Sequence, residues 1–85
     1  MKLPVIKDVV GFIEDNDEDY VLEAIDLLEH LSQSKGIKDH ELEVMGELLS
    51  NMYGGLEVNK QIKNGTDKKD ALNQFMKRVM GSIDN

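Results

Sequence analysis

The feature that most constrains this 85-residue chain is a long run of apolar residues at helical spacing near its centre. The run alternates intervals of three and four, and its members are Leu42, Met45, Leu49, Met52 and Leu56. Such spacing places an apolar stripe along one side of an α-helix. Val44, Leu48 and Ile62 widen the stripe to about half of the circumference. The pattern therefore predicts a helix over about His40–Lys63 that has neighbours on two or three sides.

Three further helices are predicted from the same periodicity, over about Pro4–Glu14, Glu18–Ser32 and Asp67–Ser82. The predicted buried face of the first helix consists of Val5, Ile6, Val9, Val10, Phe12 and Ile13. That of the second helix consists of Tyr20, Val21, Ala24, Ile25, Leu27, Leu28 and Leu31. That of the fourth helix consists of Ala71, Leu72, Phe75, Met76, Val79, Met80 and Ile83. The connections between them are short, so consecutive helices should be antiparallel. We therefore expect one all-α domain over residues 1–85, a compact antiparallel bundle of about four helices with a long central third helix.

The residues between the helices carry recognisable start and stop signals. Asn16 or Asp17 is suited to cap the second helix, Asp39 the third and Thr66 the fourth. At the end of the third helix, Asn64-Gly65 is suited to a left-handed turn.

Composition excludes several functions. The chain has no cysteine, which removes disulfides, zinc–thiolate sites and thiol catalysis. Its net charge of −7 argues against nucleic acid as a partner, because phosphate binding needs a basic surface. No apolar run approaches the roughly 18 residues that a membrane span needs. We expect a cytoplasmic protein without a cofactor.

The charges are unevenly distributed along the chain. Residues 1–59 carry four basic and 14 acidic side chains, whereas residues 60–80 carry six basic and two acidic ones. We expect the basic end to neutralise the acidic end within one molecule, because exposed charges are mostly solvated. The alternative is a complementary contact between subunits.

Two acidic features of the sequence resemble parts of metal sites. Asp15, Asp17 and Asp19 alternate like the first ligands of a calcium loop, but Tyr20 stands where the loop needs glycine. We therefore interpret this segment as a helix-capping acidic turn. The pair Asp26 and His30 has helical i, i+4 spacing, which supplies half of a metal site. A surface histidine near a helix C-terminus is the favoured interpretation, and no metal is expected.

The most unusual part of the third helix is a strip of small residues at intervals of four, Gly46, Ser50 and Gly54. Each glycine costs up to about 1 kcal/mol of helix stability, so a compensating benefit is expected. The candidate interface or pocket residues are Gly46, Glu47, Ser50, Asn51, Tyr53, Gly54 and Asn59.

Three interpretations of this stretch stay open. The favoured one is tight helix–helix packing, within the chain or across a symmetric interface. The second is a small pocket lined by Glu47, Asn51, Tyr53 and Asn59. The third is a local break at Gly54-Gly55 without function.

Three segments resemble a family of short bacterial proteins without an assigned function: Ile13–Tyr20, Gly46–Gly54 and Ala71–Gly81. This resemblance covers nearly the whole chain and implies one intact domain, but no activity. A second resemblance is to the alkylhydroperoxidase/carboxymuconolactone decarboxylase fold. It rests on Glu57–Leu72, a helix, glycine turn and helix, and implies a helical homo-oligomer. The paired cysteines of the peroxidase branch are missing, so peroxidase activity by that mechanism is ruled out.

Taken together, these patterns predict a non-catalytic helical protein that self-associates or binds a protein partner. The alternative is a cysteine-free enzyme-like domain that binds a small molecule near Glu47, Asn51 and Tyr53. A third hypothesis is contact with nucleic acid through the lysines and arginine of the fourth helix, against which the net charge weighs.

Overall fold

The computed structural model describes the backbone of residues 2–84 and the side chains of residues 2–79. Its four helices are α1 (Leu3–Asp15), α2 (Asp19–Leu31), α3 (Asp39–Lys63) and α4 (Lys68–Asp84). Residues 2–84 contain no strand. The predicted all-α fold and the long third helix are confirmed, and every predicted helix boundary is within two residues of the observed one. Met80 and Ile83, which were predicted to be buried on α4, lie outside the described side chains.

Helix α3 is the centre of the fold, and the other three helices pack against it. The backbone N–H of Lys2 bonds the side chain of Asn51, and Glu18, just past α1, bonds Asn59. These two contacts show that α1 runs parallel to α3. Helices α2 and α4 run in the opposite direction, since Glu29 near the end of α2 bonds Tyr53 and Phe75 in α4 lies beside Gly54. The molecule is flat, with extents of 42 × 35 × 17 Å.

The core consists of two clusters on either side of α1. The first joins α1, α3 and α4 and contains Ile6, Val10, Val58, Ala71, Leu72 and Phe75. The second joins α1 and α2 and contains Ile13, Val21 and Ile25, with Met52 and Leu56 of α3 packed against them. Both clusters are mainly aliphatic, as expected for a chain with four aromatic residues.

The helices begin where local hydrogen bonds satisfy their free N–H groups. Asp17 accepts a bond from the N–H of Asp19 (3.0 Å), and Asp67 accepts one from Lys69 (3.2 Å). The prediction that Thr66 caps α4 is therefore wrong, because Asp67 directly precedes the helix. The prediction for Asp39 is also wrong: this residue already belongs to α3, and Glu41 reaches back to the N–H of Lys38 (3.0 Å).

The turn after α3 confirms the predicted left-handed glycine. Gly65 has a φ of +104°, a conformation that side chains with a Cβ rarely adopt. Its N–H bonds the carbonyl of Ile62 at 3.0 Å, which closes the end of the helix.

Helix α3 passes through Gly54 and Gly55 without a break, and both glycines are buried. A Cβ on Gly54 would lie 3.2 Å from Ile6 and from Phe75, and one on Gly55 would lie 2.7 Å from the Cβ of Val9. These two positions allow α1 and α4 to approach α3 closely. The interpretation as a local break is wrong for this segment, because the helical assignment is continuous.

Several residues of the predicted apolar stripes are exposed rather than buried. They are Phe12, Tyr20, Leu27, Leu31, Leu42, Val44 and Leu48, with exposed fractions of 40% to 59%. The prediction of their burial in this chain is wrong. For Val44 and Leu48 the cause is the position of α1, which begins opposite Asn51, so that the first half of α3 extends beyond it.

Candidate functional site

Asn51 joins the start of α1 to the middle of α3. Its side chain is 2% exposed. Its Oδ1 accepts a bond from the N–H of Lys2, and its Nδ2 donates to the carbonyl of Glu47, both at 2.9 Å. Because a buried amide needs both bonds, Asn51 fixes where α1 begins along α3.

Asn59 makes the corresponding connection at the other end of α1. Its side chain is 5% exposed and donates to Glu18 Oε2 at 3.3 Å. The other oxygen of Glu18 pairs with the ammonium of Lys63 at 3.2 Å. The turn between α1 and α2 is thereby held against the last turns of α3.

Tyr53 lies on a different side of α3 and contacts α2. Its hydroxyl donates to Glu29 Oε1 at 3.0 Å. This bond favours the neutral phenol and raises the pKa of Tyr53 above its ordinary value of 10.0. Burial, the charge of Glu29 and the charge of Asp26 act in the same direction.

The predicted site residues do not converge on one place. Asn51 and Tyr53 are two positions apart on α3, which separates them by about 200° around the helix axis. Gly46 is exposed and a Cβ there would have no neighbour within 4 Å, whereas Gly54 is buried between α1 and α4. Ser50 is half-buried, and the carbonyl of Glu47 accepts a hydrogen bond from Asn51 Nδ2. Of the small-residue strip, only Gly54 lies at a close helix contact.

The exposed large apolar residues divide between two faces of the molecule. The angle of each residue around its helix axis, at about 100° per residue, places six of them on one side of the molecule. This is the side on which α1 lies next to α2 and on which the first half of α3 extends beyond α1. We call this group the apolar face, and it consists of Phe12, Tyr20, Leu27, Leu31, Val44 and Leu48. The opposite face carries Leu22, Leu42 and Tyr53.

An apolar groove runs through the apolar face between α1 and α2. Its volume is about 320 Å³. Its lining residues are Val5, Asp8, Val9 and Phe12 of α1, Tyr20, Val21 and Ala24 of α2, and Met52 of α3. At one end Phe12 and Tyr20 meet edge to face, with ring centroids 6.2 Å apart. With one carboxylate among eight lining residues, the groove is suited to apolar side chains.

Sequence reasoning missed this groove because it placed Phe12 and Tyr20 in the core. A usable signal was present: Tyr20, Ala24, Leu27 and Leu31 follow intervals of four, three and four, the spacing of a coiled-coil seam. These residues lie on a different side of α2 from Val21 and Ile25, which form its buried contact.

The basic end of the chain pairs with acidic residues of the same molecule. Lys68 contacts Glu14 at 2.7 Å, Lys63 contacts Glu18, and Arg78 contacts Glu57 at 3.4 Å. These contacts agree with the expected internal neutralisation. All three pairs are largely exposed and each contributes little to stability.

Within the described residues, no three histidine or acidic side chains are gathered as metal ligands. The pair Asp26 and His30 therefore belongs to no such group of three in that part of the chain. No helix among these residues is long and apolar enough to cross a membrane.

Comparison with known proteins gives a family. A family of unknown function, DUF6952, matches the chain over residues 1–84. Searches of curated proteins and of solved structures found no match. The resemblance to the alkylhydroperoxidase/carboxymuconolactone decarboxylase fold stays a prediction. Because the match spans almost every residue, the chain belongs to the family of unknown function DUF6952.

Proposed function

We propose that this protein is a non-catalytic helical module of the cytoplasm that self-associates through its apolar face. One observation carries the proposal: six large apolar side chains from three helices are exposed, and helical phase places them on the same side of the molecule. Scattered apolar residues are normal on protein surfaces, but a large continuous patch is typical of a binding surface.

The size of the apolar face supports a second protein chain as its occupant. The exposed fractions of the six residues together amount to about three whole residues. This leaves roughly 500 Å² of mainly apolar surface in water, at the lower end of the area of an aromatic residue because four of the six are Leu or Val. A standard interface buries about 800 Å² per partner, of which about 56–65% is apolar. The apolar face therefore matches the apolar share of such an interface.

The buried polar residues support a structural rather than a catalytic role. Asn51 and Asn59 each bond another segment of the chain. Among the described side chains, no buried nitrogen or oxygen atom lacks a hydrogen-bond partner. Their bonds account for the two buried asparagines without a ligand.

Two matched variants test the proposal. Leu48→Lys places a charge on the apolar face, and Leu42→Lys places the same charge outside that face, about 120° further around the same helix. The two leucines are 44% and 43% exposed, so the cost to folding should be similar. We expect light scattering after size exclusion to give an oligomer for the wild type and for Leu42→Lys, and a monomer for Leu48→Lys. A monomeric wild type, or equal effects of both variants, would contradict the proposal.

A further inference from the structure

We propose that the second copy binds with its α2 antiparallel to α2 of the first, so that Leu27 of each copy enters the α1–α2 groove of the other above Ala24. The proposal rests on the self-association proposed above and adds the contact and its direction. Three features support it. They are the seam of residues Tyr20, Ala24, Leu27 and Leu31 on α2, the groove beside this seam, and the aromatic and aliphatic composition of the two ends of the apolar face.

The seam consists of Tyr20, Ala24, Leu27 and Leu31, whose intervals of four, three and four keep them on one side of α2. Three of them are exposed by 40% to 59%. Ala24 is half-buried and lines the groove. The seam therefore offers one small residue between large ones, which leaves space for a side chain of a facing helix.

An antiparallel pairing of two such seams matches large residues with small ones. A two-fold axis midway between Ala24 and Leu27 sets these two residues opposite each other, and it sets Tyr20 opposite Leu31. Leu27, which is 58% exposed in one copy, then covers the small Ala24 of the other. A parallel pairing would instead set Leu27 against Leu27 and leave Ala24 against Ala24.

The two ends of the apolar face are complementary under the same symmetry. One end is aromatic, where Phe12 and Tyr20 form an edge-to-face pair. The other end is aliphatic, where Leu31 lies on the same side as Val44 and Leu48 of α3. The two-fold axis places the aromatic end of each copy on the aliphatic end of the other, so that both ends are buried.

The polar residues beside the seam also agree with an antiparallel pairing of the two α2 helices. Glu23 and His30 lie on the same flank of α2, seven residues apart. In an antiparallel pair, equivalent flanks face each other, which brings Glu23 of one copy within about 3 Å of His30 of the other along the helix axis. A carboxylate and an imidazole can form a hydrogen bond across the interface.

Cysteine cross-linking tests the arrangement, because the chain has no cysteine of its own. Ala24→Cys and Leu27→Cys are oxidised separately and as an equimolar mixture, and disulfide-linked dimers are identified by mass spectrometry. The facing positions should meet the short Cα separation that a disulfide requires. We expect several-fold more heterodimer in the mixture than homodimer in either variant alone. Tyr20→Cys mixed with Leu31→Cys provides a second pair, and Leu22→Cys, on the opposite face of α2, is the control.

The outcomes separate this arrangement from self-association in general. Efficient linking of Leu27→Cys to itself, with little heterodimer in either mixture, would indicate a parallel seam and overturn the inference while self-association stands. Linking of Leu22→Cys at the level of the mixtures would show that the seam side of α2 is not the specific contact. A wild-type chain that is monomeric by mass would remove both proposals.

Discussion

Replacing Gly55 with alanine tests the close contact between α1 and α3. A Cβ at this position would lie 2.7 Å from the Cβ of Val9, whereas carbon atoms in contact are normally about 3.5–4.0 Å apart. The backbone fixes both Cβ positions, so a change of rotamer cannot separate them. Helix α1 must therefore move away by about 1 Å, which loosens Ile6 and Val10, both fully buried.

Two opposing effects determine the free energy of unfolding of this variant. Overpacking of a dense core costs about 1–3 kcal/mol, and the upper part of that range applies because two backbones must separate. Alanine also favours the helix over glycine by up to about 1 kcal/mol. The expected net loss is about 1–2 kcal/mol. Gly46→Ala is the matched control in the same helix, since a Cβ there meets nothing within 4 Å, and it should gain up to about 1 kcal/mol.

Urea unfolding followed by circular dichroism measures both variants at equal protein concentration. Equal concentrations are necessary because self-association would add to the apparent stability. We expect Gly55→Ala to unfold at lower urea than the wild type and Gly46→Ala at higher urea. If Gly55→Ala is as stable as Gly46→Ala, the close packing of α1 on α3 is wrong.

Three further predictions concern the polar contacts and the charge. Asn51→Ala should lower the free energy of unfolding by about 1–3 kcal/mol in urea unfolding, because the partly buried N–H of Lys2 loses its acceptor; unchanged stability would contradict the anchoring role of Asn51. In a Tyr20→Phe background, where Tyr53 is the remaining tyrosine, an ultraviolet titration should show that Glu29→Gln lowers the pKa of Tyr53. Any stability that the raised pKa of Tyr53 provides with Glu29 present exists below pH 10.0 and is lost as the pH rises through the pKa of the folded protein. Added salt should strengthen the dimer, since it screens the repulsion between two chains of net charge −7. Sedimentation at several salt concentrations measures this effect, and dissociation by salt would instead indicate an interface held by opposite charges.

Local chemistry made the helices predictable. The intervals of apolar residues, the single proline at the start of α1 and the glycine at position 65 are signals that act within one or two turns. The same signals failed at residues 39 and 66 because neighbouring acidic side chains, Glu41 and Asp67, satisfy the first N–H groups instead. Local signals define a helix end only to within one or two residues, so they do not decide which of several adjacent polar residues is the cap.

Burial was not predictable in the same way. Periodicity shows that Leu27, Leu31 and Leu48 belong to apolar stripes, but an interior and an interface between copies produce the same pattern. Which half of α3 is covered by α1 depends on where α1 begins, and the bond between Lys2 and Asn51 marks that position. The close contact at Gly54 and Gly55, with none at Gly46, has the same origin, since α1 does not extend over the first half of α3.

The mass of the wild-type chain in solution tests the central proposal most directly. One chain has a mass of 9.6 kDa. Sedimentation equilibrium from low to high micromolar concentration should show a mass that rises toward twice this value, because dimerisation follows mass action. A mass that stays at 9.6 kDa throughout the concentration series would show that the apolar face does not hold two copies together.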